Sequence, residues 1–165
     1  DIASATIVVT AFLLGLGLGS LLGGILAKAM PSAAIGLFAI FELSLSLFGA
    51  FSLGLFAFMA EWFAAVSYPE AAMFSFLAVA FPTTLMGATL PLLVGYDVPR
   101  TGNVGQSVGG LYFANTLGAA IGALAAVTIL FGTIGLEGTT LTAAALNLVL
   151  AIGALVLRRS SRGSL

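Results

Sequence analysis

Apolar residues run through this chain in five long blocks, and polar positions gather mostly in the four gaps between them. The blocks extend roughly over 3–27, 34–60, 71–96, 104–131 and 139–157. A helix needs about 20 apolar residues to cross a hydrocarbon core, and the blocks meet that length. They are too long and too uniformly apolar for the alternating strands of a barrel. The gaps carry helix breakers: Met30-Pro31-Ser32, Ser67-Tyr68-Pro69-Glu70, Asp97 to Asn103, and Gly132 to Gly138. Short connections make consecutive helices antiparallel neighbours. The pattern predicts an all-α, polytopic transmembrane bundle of five spans, folded as a single domain over residues 1–165.

Composition agrees with that class. The chain is 61% hydrophobic and 7% charged, with a mean hydropathy of +1.22, whereas soluble domains carry about 25% charged residues. Only helices and closed barrels satisfy every backbone group in lipid. The net charge of −1 argues against a nucleic-acid partner. Neither Cys nor His occurs, which removes disulfides, thiolate chemistry and the commonest metal ligands. No cofactor or metal is expected.

Charge also orients the spans. Lys28 follows the first block, Arg100 the third, and Arg158, Arg159 and Arg162 the fifth. The other gaps hold Glu61, Glu70 and Glu137 and no basic residue. By the positive-inside rule the basic loops are cytoplasmic, so Asp1 lies outside and the C-terminus inside, as in a bacterial inner membrane. An outside start without Met or a signal peptide leads to the expectation of one more transmembrane helix before residue 1, making six.

The first span carries Gly15, Gly19 and Gly23 at steps of four, and the fourth carries Gly105 and Gly109, then Gly118 and Gly122. Such strips let helix backbones approach closely. Packing within the chain is their ordinary use; a dimer face or a sliding surface of a transporter are the alternatives. Glu42 is the one ionisable residue well inside a span. An unpaired carboxylate there costs on the order of 3 kcal/mol, so a partner, a neutral form or a route to the interface is expected. Pro82 and Pro91 should kink or open the third helix, with Thr83, Thr84 and Thr89 bonding the carbonyls they release. Broken helices of this kind also mark substrate sites in transporters. Thr83, Thr84, Glu42 and Asn115 are thus the candidate intramembrane polar site, while Asn115 and Asn147 also suit interhelical hydrogen bonds. Trp62, Tyr68 and Tyr96 flank helix ends, where aromatic anchors collect.

Several strings carry a family resemblance. Two of them are P-T-T-L-M-G-A-T-L-P-L-L at 82–93 and G-x-L-Y-x-x-N-T-x-G-A-x-x-G at 109–122. With A-F-L-L-G-L-G-L-G-S-L-L-G-G at 11–24 and Glu42 after an apolar stretch, the order resembles the membrane domain of spermidine-synthase-like proteins. There a multi-helix domain is joined to a polyamine aminopropyltransferase, and a further hydrophobic helix precedes the first one here. Such membrane domains are likened to the major facilitator superfamily, and G-G-I-L-A-K at 23–28 is similar to its cytoplasmic loop motif, without the motif's usual acidic residue. The resemblance implies a membrane module that anchors or scaffolds a soluble domain or partner subunits in the bilayer. The alternatives are a transporter, or half of one, for a polyamine or other small cation, and a membrane enzyme component that acts through a domain not in this sequence. The enzymatic half has no counterpart in these residues. Gly15-x-Gly17-x-Gly19 lies within an apolar span rather than after a strand, so it is no nucleotide loop. No catalytic residue is assigned.

Overall fold

The computed structural model describes residues 2–163, the last three as backbone only. Asp1 and the Arg162 side chain lie outside the described residues. Five long helices account for almost all of the rest: α1 Ile2–Ala29, α2 Ala34–Phe63, α3 Tyr68–Thr101, α4 Val104–Thr133 and α5 Gly135–Gly163. All five are long and apolar enough to cross a membrane, and no strand occurs among the described residues. The chain is an all-α helical bundle with the features of an integral membrane protein.

Local chemistry explains where the helices start and stop. Pro31 opens a 3-10 turn, Pro31–Ala33, that reverses the chain between α1 and α2. At the start of α3, the Ser67 amide and hydroxyl both donate to the Glu70 carboxylate, at 2.9 and 2.8 Å, which ties down the first turn. Gly102 ends α3 in the left-handed region, at φ 66°, a conformation that favours glycine. The Asn103 side chain then accepts from the Gln106 amide at 3.0 Å and caps α4. Within α4, Ala126–Leu130 forms a π-helical turn, and Gly135, at φ 69°, starts α5.

The third helix corrects the sequence reading. The stretch from Asp97 was expected to be a loop, yet α3 continues through Pro99 to Thr101. Pro82, Pro91 and Pro99 all lie inside one continuous helix. Each proline removes only one backbone donor, and the surrounding ladder carries the helix past it. The helix is not opened at Pro82 or Pro91.

Assembly centres on α3, which contacts α1, α2 and α4; α5 packs on the far side of α2. The buried cluster of Ala27, Ala34, Ile35, Phe38, Ala39, Leu92 and Ala154 joins the end of α1, the start of α2, and the later parts of α3 and α5. Lys28, Arg100 and Arg158 sit at this same end of the bundle, and Glu61, Glu70 and Glu137 at the other. Large side chains such as Leu21, Phe51, Phe58 and Phe113 point outward, while small ones fill the seams. Water would penalise that arrangement; lipid does not, because helix association there depends on close packing rather than apolar burial.

Candidate functional site

The tightest seam joins α1 to α3, and it is built from small residues on both sides. On α1 the buried positions are Ala11, Gly15, Gly19, Gly23 and Ala27, a strict step of four. On α3 the matching line is Thr83, Gly87, Pro91 and Gly95, again at steps of four. A side chain on Gly15 would collide with Thr83, one on Gly19 with the Thr84 backbone, and one on Gly23 with Ala88. Conversely, a side chain on Gly87 would strike the Leu16 backbone. Gly15 opposes Thr83 and Ala27 opposes Gly95, so the pairing keeps an offset of 68 residues and the two helices run parallel. Reading 82–93 for its prolines concealed this repeat on α3; the four-residue spacing of small residues was the signal that would have found it.

The threonines of the predicted polar site are occupied by their own helix. The Thr83 hydroxyl donates to the Val79 and Ala80 carbonyls, at 2.8 and 3.1 Å, and Thr84 to Ala80 at 2.7 Å. Thr89 donates to Met86 at 2.8 Å. None of these is the carbonyl of Ala78 or Gly87, four residues before Pro82 and Pro91, that the prolines leave without a donor. The expected repair does not form.

Glu42 stands on a different seam. Ile35, Ala39, Glu42, Ser46 and Gly49 follow at helical steps along α2, and Glu42 keeps 6% of its surface. Gly36 lies under the Arg158 guanidinium, and Gly49 lies against Ala144, so α2 and α5 run antiparallel. That register sets Glu42 level with Ala151 and Ser46 level with Asn147, which is half-buried. Among the described residues the Glu42 carboxylate forms no hydrogen bond and no ion pair. Arg158 stays at the helix end, its Nε buried without an acceptor and its plane seated on the space that Gly36 leaves. Sequence inspection missed this seat, because neither Arg158 nor Gly36 belongs to a recognisable motif.

The fourth helix is the least covered element. Its most apolar stretch has no buried residue, and on α4 proper only Ser107 is buried. Ser107 sits near the start, where its hydroxyl lies 2.7 Å from that of Thr101. The two glycine pairs do not form one strip. Gly109 and Gly118 are nine residues apart, about 2.5 turns, so they point to opposite sides. Side chains on Gly109, Gly118 or Gly122 would meet nothing within 4 Å, and one on Gly105 would meet only the Asn103 cap. The expected packing within the chain therefore exists on α1 and not on α4. Asn115 is exposed on α4, on the side shared with Ser107, Leu111, Gly118 and Gly122.

The candidate polar residues thus occupy three places: Thr83 and Thr84 near the α1–α3 seam, Glu42 at the α2–α5 seam, and Asn115 on open α4. The aromatic residues at helix ends act locally. Trp62 meets Phe74 edge-on at 4.7 Å across the α2–α3 turn. Tyr96 lies under Arg100, whose guanidinium carbon is 3.5 Å from the ring centre. Comparison with protein-family models, curated proteins and solved structures finds no match to this chain.

Proposed function

We propose that this chain is an integral membrane module that scaffolds a partner, rather than a carrier that moves a solute by itself. The observation behind this reading is α4. A long apolar helix presents Asn115, Gly118 and Gly122 on one face, in line with buried Ser107 and half-buried Leu111 near its root, and beyond Leu111 no helix among the described residues covers that face. Small residues beside an amide are the surface that helices use to associate in lipid. A carrier needs polar groups converging on a midplane site, whereas here the threonine hydroxyls are spent on their own carbonyls and Glu42 and Asn115 lie on separate helices. The strings at 82–93 and 109–122 support a spermidine-synthase-like membrane domain within this reading. Segregated charge supports an inner-membrane placement with Lys28, Arg100 and Arg158 cytoplasmic.

Glu42, buried and unpaired, is the observation that favours transport instead. Proteoliposomes separate the two readings. The scaffold reading expects spermidine and monovalent-cation flux equal to that of protein-free vesicles, with Glu42→Gln identical to the parent. Saturable flux that Glu42→Gln abolishes would establish the carrier reading.

A further inference from the structure

An open groove of about 850 Å³ lies between α1, α3 and the root of α4, at the end of the bundle where the basic residues collect. Its volume falls within the roughly 300–1,000 Å³ of small-ligand sites. The walls are almost wholly apolar: Gly24 presents no side chain, and Pro91 and Pro99 of α3 and Val104 and Val108 of α4 are among the residues that line them. A side chain built on Gly24 would meet nothing within 4 Å, so this glycine serves the groove rather than the α1–α3 seam. One charged residue lines the space. Lys28, in the last turn of α1, is exposed and has no hydrogen-bond or ion-pair partner among the described residues.

The neighbouring cation is committed elsewhere. Arg100 stacks on Tyr96 and donates to the Tyr96 carbonyl. Asp97, the carboxylate at this end of α3, is not among the lining residues. An ammonium beside an apolar slot open to lipid matches one chemistry, an acyl chain that ends in an anionic headgroup. Basic pockets between transmembrane helices hold anionic lipid headgroups in this way. We infer that this groove is a binding site for an anionic glycerophospholipid, with an acyl chain between Gly24, Pro91 and Val108 and the phosphate on Lys28.

Native mass spectrometry of the full chain from mild detergent, with equal amounts of phosphatidylglycerol and phosphatidylcholine added, tests this site. One phosphatidylglycerol per chain should be retained in preference to phosphatidylcholine. Lys28→Gln should weaken that preference about fivefold, as for one basic residue near a membrane surface, and Lys28→Arg should restore it. Gly24→Leu, which fills the slot, should lower retention of both lipids; Gly24→Val does the same with less bulk if the leucine variant does not fold. Equal retention of the two lipids, or a preference that Lys28→Gln leaves unchanged, overturns the site. So does a photo-crosslinker at Val104 that yields protein adducts and no lipid, since it would give the groove to a partner helix.

Discussion

A single missing methyl decides how close α1 and α3 come. Gly19 faces the backbone of Thr84, whereas Gly17, two residues earlier, faces open space. The two glycines look alike in sequence and differ only in which way the helix turns them. Gly19→Ala should therefore destabilise the bundle by about 1–3 kcal/mol, the usual cost of forcing atoms into a filled seam. Gly17→Ala should be neutral or stabilising by up to about 1 kcal/mol through helix propensity. Unfolding of the two variants side by side in detergent reads the difference; equal effects would refute the seam. At this scale the sequence was only partly legible. The step of four on α1 announced a packing face, but which partner it met depended on the matching step on α3. The fate of the threonines was not legible at all, because a hydroxyl inside a helix has nearby carbonyls that compete with those a proline releases.

Elements were easier to read than their ends. Long apolar blocks allowed only helices, and all five appear with starts close to those expected. Boundaries failed where a breaker did not break: Asp97, Val98 and Pro99 remain helical because α3 stops only at Gly102, where the backbone turns left-handed. The separation of the glycine pairs on α4 follows from counting nine residues against 3.6 per turn, and motif spacing alone hides it. Because α4 has few neighbours, its start rests heavily on the Asn103 cap. Asn103→Ala should cost about 1 kcal/mol and speed amide exchange over 104–112, while Asn103→Ser should retain most of the protection. Unchanged exchange in Asn103→Ala would show that packing rather than capping holds this root.

At the scale of the whole molecule, four helices form a core of two tight seams, α1 on α3 and α2 on α5, joined through α2 and α3. The fifth element, α4, is attached near its root and through its turn into α5. This division was not visible in the sequence, since all five spans are comparably apolar and hydropathy does not reveal which helix lacks a neighbour. It leads to the scaffold reading, in which α4 waits for a helix from another chain or domain. A photo-crosslinking scan along α4 in native membranes tests that claim most directly. Protein adducts are expected from Asn115, Gly118 and Gly122, and lipid adducts from Gly109, Phe113 and Ala120 on the opposite side. Lipid adducts alone at Asn115, Gly118 and Gly122 would contradict it.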